Sequence, residues 1–392
     1  MDPIKLLTEL IKVPSPPGRE GELAKFLKEV IASVGVDKVW IDGLGDVVAL
    51  IKGGLSSSSL IIEGHLDTVG PGDLSKWLVD PYAGSLINGR VYGRGASDMK
   101  GAIASQVAAI EGLKDPPVDT YLVYTTHEET AEGVAFRYVL ENEVKGDVGA
   151  VVIGEATSLN LAVGHRGRAV IEFTLIGEEA HASMPEEGVN ALVCMARVAE
   201  SVVKLSNYFP KDGVLGEVTL TPTITKCSST DVPHIPGRCV LYVDVRVVRG
   251  VGESDLISGL GRLCREVVDT NLCTDCSLRI NEEELRFWTG KVLRVKEFFP
   301  AWVCSNYGAI EVGIKSLREV GIDAEEYVWR FSTDGVYSAG VRNYLTLGFG
   351  PGSEGLAHKV NEYVEVKELL KAVEGYRALI RGLGNYLVKL SR

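Results

Sequence analysis

The sequence predicts an α/β fold: a discontinuous α/β domain that carries one inserted α+β domain. Apolar segments suited to strands alternate with amphipathic helical segments through the first 167 residues and again after residue 282. Between them the order changes to strand, helix, strand, strand, helix, strand, which is the ferredoxin-like pattern. Outside that insertion, the distinctive acids and histidines fall just past strand segments or at helix starts, where open parallel sheets hold ligands. The expected domains are 1–167, 168–282 and 283–392.

Taken in order, apolar residues recur three and four apart in 3–11 and 20–33, which predicts two helices. "VVALIKG" and "SLIIEGHLD" read as strands. "DMKGAIASQVAAIEGL" reads as a helix with Ser97 or Asp98 as its N-cap. "TYLVYTTHEE", "GVAFRYVLENE" and "GAVVIGEA" then read as strand, helix and strand, and this alternation predicts a mainly parallel sheet. From about Arg168 come strand "AVIEFTLIG", helix "NALVCMARVAESVVKL", strands "EVTLTPTIT" and "CVLYVDVRVV", helix "SDLISGLGRLCREVV" and a short strand near "SLRIN". After about Glu283 follow helix "AIEVGIKSLREVG", the apolar segment "YLTLGFGPG" and the long helix "VKELLKAVEGYRALIRGL".

Composition excludes several classes. The 392 residues suit two domains, and 45% hydrophobic with 24% charged residues suit a globular chain without disorder. A formal charge of -12 without a lysine and arginine cluster argues against nucleic acid and anionic membrane as partners. The start "MDPIKLLTEL" reads without a secretory leader, and no apolar run approaches the ~18 residues of a membrane span. A cytoplasmic enzyme is the expectation. Seven cysteines, an odd number, fit a reducing compartment, with the CxxC pair Cys273 and Cys276 a chance pair or a local disulfide. Gln106 is the one glutamine, and scarcity of thermolabile amides hints at a thermophilic source.

"EGHLDTVG" ends an apolar strand with His65 and Asp67, which share a face because side chains alternate. Asp98 stands at a helix start, where the helix dipole favours an ionised carboxylate. Glu128 and Glu129 follow one strand, Glu155 follows the next, and His358 lies in the glycine-rich "GFGPGSEGLAHKVNE". Each has a plain alternative: a cap for Asp98, a solvated turn for Glu128, Glu129 and Glu155, surface for His358. Together they supply the five or six nitrogen and oxygen ligands, plus a base, that a two-metal site needs. Imidazole and carboxylate without thiolate suit zinc, manganese or cobalt. Competing motifs are absent: "GRGASD" lacks the third glycine of a dinucleotide fingerprint, and the chain has neither a phosphate-binding G-x-x-x-x-G-K-[ST] nor a G-x-S-x-G serine elbow.

The segments "GHLDTV", "GRGASDMKG", "EE" followed by Gly133, "GEAT", "GHRGR", "AHASMPEEGVNA", "DVR" and "GFGPGSEGLAHKVNE" occur in an order that resembles the dizinc exopeptidase and deacylase family. That family contains acetylornithine deacetylase, succinyl-diaminopimelate desuccinylase, aminoacylase and glutamate carboxypeptidase. The resemblance spans about residues 3 to 388. "VGPGDLSKWLVDPY" and "WRFSTDGVYSAG" look nearest to the selenium-metabolism-linked hydrolases.

The resemblance implies a metallopeptidase-like catalytic domain with an inserted ferredoxin-like lid and dimerisation domain. It implies two divalent ions, zinc first and cobalt or manganese as alternatives. His65 and Glu155 would hold one ion, Glu129 and His358 the other, and Asp98 both. Asp67 would orient His65, and Glu128 would be the general base. Glutamate rather than aspartate at 155 leans toward deacylases and carboxypeptidases, while Ala156 and His127 depart from the family's more frequent proline and acid. His181 would donate to the oxyanion, reaching from the partner subunit of a homodimer.

Arg246 is the candidate for a substrate carboxylate, since guanidinium matches it with two hydrogen bonds. An ion pair with Asp244 is not expected on a covered strand. Ser332, Thr333 and the backbone of Gly350 to Gly352 are expected to close the other end of the pocket, and His165 and His234 have no assigned role. The expected activity is hydrolysis of an amide bond in a small-molecule N-acyl amino acid. The alternatives are a carboxypeptidase or dipeptidase acting on short peptides, and an inactive binding or assembly protein.

Overall fold

The structure, a computed structural model, describes residues 1–54, 57–229 and 231–391 and divides into two compact units. One comprises Met1–His165, Glu284–Leu293 and Val303–Arg392, the other Arg166–Glu283 and Arg294–Trp302. The second unit thus includes a stretch beyond the expected 168–282, because Phe298 and Phe299 pair with the strand Gly167–Ile176.

In the first unit, Asp2 caps the helix Pro3–Ile11 by accepting from the N–H groups of Ile4 and Lys5. That helix and Gly21–Ser33 turn Leu6, Leu7, Leu10, Leu23, Leu27 and Ile31 inward at helical spacing. The sheet runs in the order Lys38–Ile41, Val47–Ile51, Asp119–Thr125, Ser58–His65, Asp147–Ile153, Thr346–Gly348, Leu161–His165, with Glu326–Trp329 beside the last. Its centre is parallel, from Asp119–Thr125 to Thr346–Gly348. Lys38–Ile41, Val47–Ile51 and Asp119–Thr125 pair antiparallel on one side, and on the other Leu161–His165 runs antiparallel to Thr346–Gly348 but parallel to Glu326–Trp329. The sheet is thus mixed, with the expected parallel pairings at its centre. A short connection turns Lys38–Ile41 back on Val47–Ile51, and so short a link can join only antiparallel strands.

All residues of the helix Lys100–Ile110 are buried. The long helix Val366–Leu390 packs its stripe of Leu369, Val373, Tyr376, Leu379, Ile380, Leu383 and Leu387 into the same core. Each such large apolar side chain contributes about 1.5–3 kcal/mol on burial, which lets the strand ends carry ionisable groups. Neither Ser97 nor Asp98 caps Lys100–Ile110, contrary to expectation: Met99 holds that position and makes no side-chain cap. The Ser97 hydroxyl donates to the Ser353 carbonyl, and the Asp98 carboxylate turns to two imidazoles instead.

In the second unit, strands Gly167–Ile176, Thr219–Cys227, Arg238–Val247 and Asp275–Ile280 form an antiparallel sheet in the spatial order four-one-three-two, with helices Ala191–Val202 and Glu253–Asp269. This is the expected ferredoxin-like order. Along Arg238–Val247, Val243, Val245 and Val247 are buried while Asp244 and Arg246 share the half-exposed face. That exposure permits the ion pair that was not expected: Arg246 Nε stands 2.9 Å from Asp244 Oδ1.

The cysteine reading also needs correction. Cys273 and Cys276 do not pair locally: the disulfides are Cys194–Cys273, Cys227–Cys239 and Cys264–Cys276, leaving Cys304 free. Connectivity is not deducible from spacing. Cysteine usage therefore no longer argues for a reducing compartment; disulfide-rich intracellular proteins are known from hyperthermophiles. A thiol titration of the unfolded, unreduced chain is expected to count one thiol, Cys304, and seven after reduction. Reduction should destabilise the second unit by about 3 kcal/mol for each short loop closed, readable by calorimetry with and without reductant. Among the described residues, no helix is long and apolar enough to cross a membrane.

Candidate metal centre

Ser58–His65 lies between Asp119–Thr125 and Asp147–Ile153, with His65 beside Thr125 and Glu63 beside Ile153. The segments leaving these three parallel strands therefore start side by side. His65 ends one strand, Glu128 and Glu129 follow the second, and Glu155 follows the third. His127, at a φ of 59°, turns the chain so that the two glutamates follow in a new direction. The segment after Thr346–Gly348 brings His358, also at a left-handed φ of 62°; such strain in non-glycine residues concentrates at functional sites. Close approach needs a glycine at 350, where a Cβ would lie 2.4 Å from the Gly154 carbonyl and 2.5 Å from that of Glu155.

Four of the sequence-derived residues, His65, Glu129, Glu155 and His358, meet around Asp98. His65 Nε2 lies 3.0 Å from Asp98 Oδ1 and 3.2 Å from Glu155 Oε1. His358 Nε2 lies 3.3 Å from Asp98 Oδ2 and 2.8 Å from Glu129 Oε2. Each Asp98 oxygen thus faces a different imidazole, and each imidazole faces one further glutamate. Atoms of His65, Asp98 and Glu129 all lie within 4.8 Å of one another, as do atoms of His65, Glu128 and Glu155.

The electrostatics follow from burying many acids around two histidines. Burial alone would lower the His65 pKa, but Glu155 and Asp98 outweigh it and raise it well above the usual imidazole value. Hydrogen bonds that His358 donates to the Asp98 and Glu129 carboxylates lift its pKa to about 10. Against the same burial, the two histidines hold Asp98 below the usual carboxylate range. Burial, then the Asp98 charge, pushes Glu155 up to about 7, and burial raises Glu128 well above its ordinary value.

The groups fit divalent cations. Among the described residues, Glu128 Oε1 and Glu155 Oε2 are buried without a hydrogen-bond partner, a costly state for a carboxylate oxygen. A cation satisfies such oxygens, and the nitrogen and oxygen donor set suits zinc, cobalt or manganese.

Asp67 stands against His65, as expected of an orienting residue, but closest through its main chain. His65 Nδ1 lies 2.8 Å from the Asp67 carbonyl oxygen, while the Asp67 carboxylate oxygen stands 3.7 Å away. The carboxylate instead accepts from the main-chain N–H groups of Glu128 and Glu129, at 3.1 and 3.0 Å. The main chain orients the imidazole, as in many metal-ligating histidines, and the side chain fixes the turn that bears the two glutamates.

Several supporting residues escaped sequence reading. Asp46 accepts from Thr126 N–H and Oγ1, and Glu20 accepts from His127 N–H. Asp334 accepts from Thr125 Oγ1 and from the N–H of Gly133, whose φ of 76° lets the helix Val134–Asn142 begin there. Glu63 hydrogen-bonds Asp334, and burial raises both carboxyls. Glu362 accepts from Arg94.

The proposed substrate residues are placed variously. Ser332 and Thr333 are buried, with their hydroxyls engaged by Glu132 and His165. The N–H of Gly350 donates to Thr157 Oγ1 and that of Gly352 to Glu368. In the second unit, His181 is exposed and pairs with His234 across two short strands. Its Nδ1 accepts from the Ser183 N–H at 3.1 Å.

Comparison with known proteins matches residues 61–382 to peptidase family M20/M25/M40. The protein YgeY of Escherichia coli (strain K12) is 30% identical over 390 residues, covering 96% of this chain and 93% of its own. Acetylornithine deacetylase of Aliivibrio fischeri (strain MJ11) is 28% identical over 351 residues, 88% of this chain and 85% of its own. Among solved structures, an M20 family metallo-carboxypeptidase from Sulfolobus solfataricus superposes with a TM-score of 0.74 at 19% identity, covering 98% of this chain and 100% of that one. A tripeptidase from Staphylococcus aureus subsp. aureus mu50 gives 0.75 at 20% identity, covering 98% of each.

Proposed function

The chain belongs to peptidase family M20/M25/M40 and is a metal-dependent hydrolase, and we propose that it cleaves the amide bond of a small N-acyl amino acid. The observation that carries this reading is the position of Asp98, one oxygen toward His65 and the other toward His358. His65 and Glu155 would hold one divalent ion, Glu129 and His358 the second, and Asp98 both. Bound there, such ions, zinc first among them, supply Lewis-acid polarisation of the scissile carbonyl and a water of lowered pKa.

Glu128, with an unpartnered buried oxygen, would take the proton of the attacking water and deliver it to the leaving amine. Asp67 would keep Glu128 and Glu129 in register through their main-chain N–H groups. The proposal gives His181 the oxyanion, from the partner subunit of a homodimer. With Nδ1 accepting from Ser183, the neutral ring carries its proton on Nε2, the tautomer a donor needs. Arg246, held by Asp244, would meet the substrate carboxylate.

A deacylase is preferred to a peptidase because the curated relative at 28% identity is named for deacetylation. Parallel assays of N-acetyl amino acids and dipeptides, with zinc, cobalt or manganese, test this. Turnover of acyl amino acids that is lost on chelation and restored by metal supports it. Turnover of dipeptides alone would replace it with the peptidase reading, and no turnover of either with metals bound would favour an inactive binding protein.

A further inference from the structure

We propose that Glu362 is the positioning residue of this centre, holding the Asp98 segment and the His358 segment in one frame; the proposal rests on the two-ion reading above. Glu362 follows His358 by four residues in "HKVNE" and is completely buried. Its Oε1 accepts from the N–H groups of Ser97 at 2.8 Å and Asp98 at 3.0 Å. Its Oε2 accepts from Arg94 Nη1 at 2.5 Å and from the Gly95 N–H at 3.2 Å. Arg94, itself buried, donates its Nη2 to the His358 carbonyl at 3.3 Å.

One carboxylate thus gathers four donors from the segment that ends at Asp98, across more than 260 residues of sequence. A pair serving stability alone has no need of main-chain donors from a ligand segment, and buried ion pairs add little net stability over apolar replacements. Hydrogen bonds to an ionised acceptor are short and directional. Here they fix the main chain of the residue whose two oxygens face both imidazoles, while Arg94 ties in the segment bearing the second imidazole. Among the described residues, the hydrogen-bond partners of Glu362 are Arg94, Gly95, Ser97 and Asp98 rather than an imidazole, so it acts through Asp98 and His358.

The test is titration of cobalt(II) into the metal-free full-length chain, followed by calorimetry and visible absorption, with kcat and KM on whichever substrate the assays identify. Glu362→Gln keeps the size but turns one acceptor into a donor facing donors. It is expected to weaken cobalt binding about 10- to 100-fold, to shift the cobalt absorption bands and to lower kcat by a similar factor, with KM changed less than about 3-fold. Because that variant leaves Arg94 unpaired, the double variant R94Q/E362Q, which removes both charges, is measured beside it and should show the same weakened binding in a folded chain. A merely structural role would lower the unfolding temperature without moving the bands. A folded variant with wild-type cobalt affinity and spectrum overturns the proposal. Wild-type protein that binds fewer than two cobalt ions overturns the two-ion reading itself, and the proposed frame with it.

Discussion

Glu128→Gln is expected to lower kcat about 10²- to 10⁴-fold, the range a positioned proton-transfer group contributes, while both metal ions stay bound. The substitution keeps the volume of a nearly fully buried side chain. It also keeps the main-chain N–H that donates to Asp67, so the turn bearing Glu129 has no reason to move. What it removes is the capacity to take up a proton. Burial already raises the Glu128 carboxyl, and one of its oxygens has no partner among the described residues. The competing role is ligation, since Glu128 lies within reach of the same atoms as His65 and Glu155. Metal content separates the two: a base leaves two ions per chain and a slow enzyme, whereas a ligand loses an ion. Wild-type kcat in a fully metallated variant would remove Glu128 from proton transfer.

The convergence of these groups was legible because it follows from strand periodicity and from where parallel strands end. His65 ends, and Glu128, Glu129 and Glu155 follow, strands that read clearly as apolar sequence, and adjacency of those strands does the rest. The supporting acids were not legible, for the converse reason. Glu20, Asp46, Glu63, Asp334 and Glu362 look in sequence like any solvated carboxylate, and only the fold reveals that each is buried and aimed at a main-chain or hydroxyl donor. The Asp244–Arg246 pair was misread for a related reason: alternation told which residues share a face, but not that this face stays half exposed. Cysteine pairing failed because spacing along the chain carries no information on which helix will pack over which strand.

The supporting acids also bear on why the proposed centre would take up cations. Glu63, Asp67, Asp98, Glu128, Glu155 and Asp334 are all buried close to His65. Ionised carboxylates at such density repel one another and lack water, so the interior must supply protons or metal ions to balance them. Glu63 and Asp334 meet this need by sharing a hydrogen bond behind the site. Asp98, Glu129 and Glu155 instead face the two imidazoles, Glu129 also accepting from the Val69 N–H.

Removing Asp98, the proposed shared ligand, should therefore cost more than removing Glu128, the proposed base. Asp98→Ala withdraws one oxygen from each proposed ion at once, and no neighbouring acid can span both imidazoles in its place. Loss of metal forfeits several kcal/mol of charge stabilisation in the transition state, about 10³- to 10⁵-fold in rate at 1.36 kcal/mol per factor of ten. The second readout is thermal. Zinc at a hundred times its dissociation constant should stabilise the wild-type chain by about 2.7 kcal/mol for each site filled, and that increment should nearly vanish in Asp98→Ala. Asp98→Asn, which keeps the shape and one good acceptor, should retain one ion and lose the other. Two ions bound with wild-type affinity to the folded Asp98→Ala chain would show that the carboxylate is not shared. The arrangement of imidazoles and glutamates around it would then have to serve a single cation.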